Sequence, residues 1–329
     1  MGSPARSTPE PPLIAIGASA GGIEALRLVL PSLPYELPAA VAVVVHRPPV
    51  QEDDRLAVVL SAGAQMRLKT VADRDPIEAG TIYVCPAAVH LVAERTHFRL
   101  TTGPRENGAR PSIDVLFRSA AKAFGRRAAG VVLSGMLDDG TAGLGAIKVR
   151  GGLTLAQDPD DAAFGDMPRN AIENVAVDAI LPAASIASAL VSFAHTAAAG
   201  RNGSVVQPHG RTEASLFSCP DCGGVLSEVD ADGVVRFRCR TGHAYSPRTL
   251  ISKQEEGLEE ALWAAQRALI ERTDLSMRLA QRSRERGFNK AAERFEERAA
   301  ESRRRAEIVS SAMETPREAL ANAEADAAS

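Results

Sequence analysis

Cysteine is scarce in this chain, aromatic residues are few, and no long apolar run interrupts it. Only four cysteines occur in 329 residues, and three of them, Cys219, Cys222 and Cys239, fall within a stretch of twenty-one, far from Cys85. That distribution argues against a disulfide framework and for a metal cluster in a reducing compartment. A membrane span needs about eighteen or more consecutive apolar residues, and none are found, which excludes direct membrane insertion through a helix. The opening MGSPARSTPEPP lacks the apolar segment of a signal peptide, so the expected location is cytoplasmic. Excess positive charge is also missing: the formal net charge is −3, and nothing in that balance favours nucleic acid as a partner. With aromatics at 4 %, the core must be built from the abundant Ala, Val, Leu and Gly.

Those residues are arranged as strands and helices in alternation. LIAIGASAGG (13–22) reads as a buried strand, a glycine-rich turn and the start of a helix; AAVAVVVHRPP (39–49) is a second buried strand, with Pro48 and Pro49 blocking a helix directly after it. GTIYVCP (80–86) and VHLVAE (89–94) look like a strand pair, and FRLTT (98–102) is a further short strand. PSIDVLFRSAAKAFG (111–125) predicts an amphipathic helix with Ser112 as N-cap. AAGVVLSGM (128–136) and LTLAQ (153–157) are again apolar strands. Strands that are apolar throughout belong to a mostly parallel sheet covered on both faces, so the expected fold is a doubly wound α/β domain with its crevice at the strand C-termini.

The expected boundaries are a disordered N-terminus at 1–11, this catalytic domain at 12–195, a linker at 196–215, a Cys/His module at 216–248, a helical hairpin at 249–313 and a flexible tail at 314–329. In the hairpin, Leu258, Leu262, Ala265 and Leu269 of the first helix and Phe288, Ala292, Phe295 and Ala299 of the second fall on a three-four spacing, with Gly287 at the turn.

Three residues at candidate strand ends carry chemistry. Ser19, in Gly17-Ala18-Ser19-Ala20-Gly21-Gly22, sits on a tight turn at a helix N-terminus, whose free N–H groups favour developing negative charge. His46 ends the next apolar strand and could act as its base. Asp139 or its neighbour Asp138, in SGMLDDG (134–140), could orient the imidazole. Each has a bland alternative: a helix-capping serine, a strand-end histidine, an ordinary turn aspartate. Together the three outweigh those alternatives, and their Ser–His–Asp order differs from that of α/β-hydrolases.

The stretches IGASAGG (16–22), VVHRPP (44–49), AGTIYVCPAAVHL (79–91), RPSIDVLF (110–117), VVLSGMLDDGTAGL (131–144), LAQDP (155–159) and FGDMPRNAI (164–172) resemble the catalytic domain of CheB-type protein-glutamate methylesterases, in the same order, over residues 12–192. The resemblance implies hydrolysis of glutamate γ-methyl esters on chemoreceptors or receptor-like proteins, and glutamine deamidation by the same steps, with no cofactor for catalysis. It implies Ser19 as nucleophile, His46 as base and Asp139, the aspartate directly before the glycine, as acid. It places the Met136 amide near the oxyanion; Ala20 and Gly21, in the serine turn itself, are further oxyanion or substrate candidates. Ala20 stands where the family often has a hydroxyl residue. About eleven residues precede the first strand, too few for the receiver domain of the chemotaxis enzymes, so regulation is expected from a protein in trans.

Cys219-Pro-Asp-Cys222-Gly-Gly and Cys239-Arg-Thr-Gly-His243 flank a segment that reads as a hairpin with Asp232-Gly233 at its turn. Cys219, Cys222, Cys239 and His243 then form a closed Cys3His set of zinc-ribbon type, implying structural Zn2+. The hairpin beyond could form a homodimer or dock a partner. The rival readings are a nucleotide- or phosphate-binding α/β protein and a silent interaction module. Against the first, the G-x-G-x-x-G spacing is unmet, and His46 stands where an acidic ribose ligand is expected.

Overall fold

Strands that are apolar at every position need cover on both faces, and the main sheet of this chain has it. The structure is a computed structural model and describes residues 10–47, 56–200, 211–231 and 234–314. Pro48, Pro49, the Asp232-Gly233 turn, the N-terminal residues 1–9 and the tail beyond 314 lie outside the described residues.

In chain order the first elements are β1 (Leu13–Ala18), α1 (Gly22–Val29), β2 (Ala40–Val45), α2 (Leu56–Ser61), β3 (Arg67–Thr70), β4 (Thr81–Val84), β5 (His90–Ala93) and β6 (Phe98–Thr101). There follow α3 (Ile113–Phe124), β7 (Ala128–Val132), α4 (Thr141–Val149), β8 (Leu153–Gln157), α5 (Asp166–Asn174), β9 (Ala179–Leu181) and α6 (Ala183–Ala199). Seven of these strands form one sheet in the order β3-β4-β2-β1-β7-β8-β9, and every pairing in it is parallel.

The two-residue period of the strands sorts the core into two layers. Ile14 and Ile16 of β1, with Val41 and Val43 of β2, pack under α1, α2 and α6, through Leu26, Leu60 and Leu190. Leu13 and Ala15, with Ala42 and Val44, face α3, α4 and α5, through Leu116, Phe117, Leu144 and Met167. Each fully buried Leu, Val or Ile contributes about 1.5–3 kcal/mol. The strand order reverses at β1, which lies between β2 and β7; the crevice of a doubly wound sheet opens at such a switch point.

Two expectations need correction. Residues 80–86 and 89–94 do not pair with each other. β4 has parallel partners on both edges, β3 and β2, so it has none left for the following segment. β5 pairs with β6 across a tight turn, in which Glu94 N–H donates to His97 O at 2.9 Å. The stretch read as linker is also shorter: α6 continues to Ala199 and a strand begins at Arg211, leaving only 201–210 outside the described residues.

The Cys/His region is a four-stranded antiparallel sheet of β10 (Arg211–Ser218), β11 (Val225–Ala231), β12 (Val234–Cys239) and β13 (Ala244–Tyr245). Its apolar cluster is small: Leu226, Phe237, Tyr245 and Leu250 beside Cys219 and Cys239. It belongs to one compact unit with the main sheet, Met1–Ile251.

The second unit, Ser252–Ser329, holds most of α7 (Pro247–Glu285) and α8 (Asn289–Glu314). The turn between them uses Gly287 at φ 75, in the left-handed region. The most buried residues of its seam are small, Thr273, Ser276 and Ala280 on α7 and Ala292, Ala299 and Ser302 on α8, while Leu262, Leu269 and Phe295 are half-buried. Leu258 and Phe288, expected on the apolar faces, are exposed.

Candidate functional site

β1 and β2 end level with each other: Ala18 is in register with Val45, and the His46 N–H donates to Ala18 O at 3.0 Å. Ser19 and His46 are the next residue on each strand. Neighbouring strands lie about 4.8 Å apart, so the two side chains leave adjacent points of one sheet rim. The segment after β7 meets them there. Ser19 N–H donates to Ser134 O at 2.9 Å, and His46 Nε2 lies 2.7 Å from Asp139 Oδ2. A carboxylate only accepts, so Nε2 carries the proton and Nδ1 the lone pair. Among the described residues no hydrogen bond joins the Ser19 hydroxyl to His46, a contact that is often loose in the unbound state of such sites.

Glycine is needed where the backbone closes on the serine. A Cβ at Gly135 would stand 2.8 Å from Ser19 Cβ and 2.7 Å from Met167 Cε. Gly21, the N-cap of α1, has φ 69 and is packed against Ser134 and Phe164. The N–H groups of Ala20, Gly21 and Met136 donate to no group among the described residues. They are therefore available to an oxyanion beside Ser19. The Met136, Leu137 and Phe164 side chains form an exposed apolar lip at this rim.

Asp139 is nearly fully buried, yet its two oxygens accept from six donors. Oδ2 receives His46 Nε2 (2.7 Å) and Ile113 N–H (2.7 Å). Oδ1 receives Asn107 Nδ2 (2.8 Å), Ser112 Oγ (2.9 Å), Gly140 N–H (3.0 Å) and Asp114 N–H (3.2 Å). The carboxylate thus caps α3 from outside, at the positive end of the helix. Ser112 holds the N-cap position but makes no side-chain cap bond; its hydroxyl serves Asp139 instead. Burial acts to raise the Asp139 carboxyl, but the His46 hydrogen bond and charge, Asn107 and the Ile113 amide together hold it below the usual range.

Two other aspartates share this buried region. Asp114, which accepts from Gly143 N–H at 2.6 Å, is raised to about 6, first by burial and then by the Asp139 charge. Asp138, the rival acid, does not reach His46. It accepts from Ser246 Oγ (2.5 Å) and Thr249 Oγ1 (2.7 Å), and burial raises its carboxyl against those bonds. His90 is buried with both ring nitrogens engaged, by Pro104 O and Ser112 N–H. Arg110 is tied to the Thr102 and Gly103 carbonyls. Asn107 and the α3 amides escaped the sequence reading, and Ser112 was read there only as a helix cap. The Asn107-Gly108 dipeptide signals a tight turn, but nothing local signals that its amide faces Asp139.

The ligand atoms of Cys219, Cys222, Cys239 and His243 all lie within 4.8 Å of one another. Zn–S bonds of about 2.3 Å in a tetrahedral site put sulfurs roughly 3.8 Å apart. Cys222 Sγ and Cys239 Sγ are 3.7 Å apart, and His243 Nδ1 is 3.7 Å from Cys219 Sγ and 3.6 Å from Cys239 Sγ. The residues fit a four-coordinate ion. Among the described residues no helix is long and apolar enough to cross a membrane.

Residues 14–190 match the family model described as CheB methylesterase. A relative from Leptospira interrogans is 37 % identical over 179 residues, which are 54 % of this chain and 92 % of that protein. A protein-glutamate methylesterase/protein-glutamine glutaminase 2 of Anaeromyxobacter dehalogenans is 41 % identical over 54 % of this chain and 52 % of its own length. Among solved structures, the CheB methylesterase catalytic domain of Thermotoga maritima matches with a TM-score of 0.54 at 31 % identity, covering 56 % of this chain and 98 % of that one.

Proposed function

Since this chain belongs to the CheB methylesterase family, we propose that it hydrolyses glutamate γ-methyl esters on a chemoreceptor or receptor-like protein, and deamidates glutamine by the same steps. The single observation that carries this reading is the 2.7 Å contact of His46 Nε2 with Asp139, at a rim where β1 delivers Ser19 beside β2.

His46 Nδ1 takes the Ser19 proton as Ser19 Oγ attacks the γ-carboxyl carbon. The free N–H groups of Met136, Ala20 and Gly21 hold the tetrahedral oxyanion, Met136 foremost. Methanol leaves with the proton from His46. Water then attacks the glutamyl-serine ester with His46 as base, the acyl–Oγ bond breaks as His46 returns the proton to Ser19 Oγ, and the receptor leaves with a free γ-carboxylate. Asp139 keeps the imidazole in the productive tautomer and stabilises its cation. For glutamine the leaving group is ammonia. The apolar lip of Met136, Leu137 and Phe164 suits the methyl group and a receptor helix. In this reading catalysis needs no cofactor. Structural Zn2+ sits in the ribbon-like module on Cys219, Cys222, Cys239 and His243, and the protein works in the cytoplasm.

Ser19→Ala is the direct test. It is expected to abolish methanol release from methylated receptor, and wild-type turnover in the folded variant would defeat the reading. The helical hairpin exposes Trp263, Ile270 and Met277 at seven-residue intervals, a surface we assign to a second copy of the chain. Light scattering at working concentration should give the dimer mass; a monomer mass would remove that assignment.

A further inference from the structure

Asn107 stands in a two-residue turn in which Glu106 and Ala109 exchange both backbone bonds, at 3.2 and 3.0 Å. Its φ is 52, and that of Gly108 is 68. The turn explains an asparagine, which tolerates this backbone, but not the use made of its side chain. Its backbone N–H and both ends of its carboxamide are engaged. Its N–H donates to Ala244 O at 2.7 Å, and its Oδ1 accepts the Ser246 N–H at 2.8 Å. Its Nδ2 donates to Asp139 Oδ1 at 2.8 Å and to Asp114 Oδ2 at 3.2 Å.

A carboxamide can turn over, and here the bonds at its two ends agree: the Ser246 N–H requires the oxygen, and the Asp139 and Asp114 oxygens take the amide hydrogens. Residues 244–246 follow directly on His243. They belong to a module with few apolar residues of its own, so whatever holds His243 in place also holds them. The same segment supplies Ser246 Oγ and, one turn on, Thr249 Oγ1 to Asp138.

We propose that Asn107 is a positioning residue for the Asp139–His46 pair, and that the Cys3His module sets it through Ala244 and Ser246. The module is then part of the esterase's working parts and not an appendage. Metal loss frees residues 244–246 and removes the two bonds that hold Asn107 from the module side, so its hydrogen bond to Asp139 loosens. This rests on the hydrolase reading.

The test uses the full chain. Asn107→Gly keeps the turn, because glycine takes the left-handed backbone freely, and removes only the side chain. A melting curve establishes that it folds. A lost bond to a charged group predicts a fall in kcat of roughly tenfold or more, with KM within about twofold of wild type. It also moves the acid limb of kcat/KM to higher pH, because a less satisfied Asp139 draws the His46 proton more strongly. The other charged or titratable groups around Asp139 are Asp114, Asp138, His90 and Arg118, and the substitution leaves all of them in place. Asn107→Asp keeps the turn and the acceptor for Ser246 but sets a carboxylate against Asp139 and Asp114, so its kcat should fall further. An unchanged kcat and an unmoved acid limb in folded Asn107→Gly would overturn the positioning role.

For the module's part, a chelator is added to the wild type and hydrogen exchange is read at the Asn107 amide. Faster exchange there, with kcat falling toward that of Asn107→Gly and the variant itself little affected, is the expected result. Undiminished protection of that amide in metal-free protein would overturn the link. If the wild type releases no methanol at all, the hydrolase reading fails by itself, and the exchange result alone decides the link.

Discussion

The main sheet and the Cys/His module are close to each other and are held together by different physics. The sheet has an apolar layer on each face: Leu26, Leu60 and Leu190 lie to one side, Leu116, Phe117 and Leu144 to the other. The module buries little beyond Leu226, Phe237, Tyr245 and Leu250. The first can stand on hydrophobic burial. The second buries too little for that, and Cys219, Cys222, Cys239 and His243 are grouped closely enough to hold an ion. The difference shows where a protein places what must not move and what can respond. Ser19 and His46 extend directly from the self-sufficient sheet, whereas Asn107, one of the six donors to Asp139, is in turn held by Ala244 and Ser246 of the small module.

The sharpest way to break that contrast is at Asp139. Asp139→Asn leaves the packing of the sheet intact, but an amide cannot accept from all the donors that converge there. Methanol release should fall by on the order of 10⁴ in kcat, while the protein still melts as one folded species. A variant within tenfold of wild type would mean that Asp139 is only a cap for α3.

Metal removal should separate the two regions next. In a chelator, amide protection is expected to vanish across β10–β13 and to persist in β1, β2 and β7, read by hydrogen exchange. Equal protection in both regions after metal is stripped would erase the contrast.

The smallest effect concerns Asp114. Its carboxyl is raised to about 6 in the folded chain, above the usual carboxylate value, so the folded state holds a proton that the unfolded state has lost. Stability from this group is therefore fully present below the unfolded pKa and declines as pH rises toward 6. Asp114→Asn lacks that decline. Its stability relative to wild type should improve between pH 4 and about 6.5, by on the order of 1 kcal/mol. A difference that stays flat or worsens over this range would show that Asp114 ionises freely.

Much of the site could be read from local pattern. An apolar strand ending in Gly-Ala-Ser-Ala-Gly-Gly marks a turn at a helix start, and an apolar strand ending in His46 marks a strand terminus. In a parallel sheet those ends lie on one rim. The choice between Asp138 and Asp139 was different, because both stand in the same polar turn and local residues do not separate them. The fold separates them by direction: Asp139 faces His46 and α3, Asp138 faces Ser246 and Thr249. The misread strand pair has a similar origin. β4 looks equally able to pair on either side, and it takes the preceding strand β3 on one edge and the more distant β2 on the other.

By itself the sequence determined the element types, the two-faced burial of the strands, the serine turn and the metal-ligand spacing, because each depends on residues within a few positions of one another. Local pattern left Asp138 and Asp139 open and the family resemblance chose Asp139; tertiary structure alone decided that Ser112 and the α3 amides hold that aspartate, and that Asn107 joins it to residues 244–246. Those contacts link side chains and backbone groups tens to more than a hundred residues apart. Hydrogen bonds carry no trace in local periodicity, so only the folded chain brings their partners within reach.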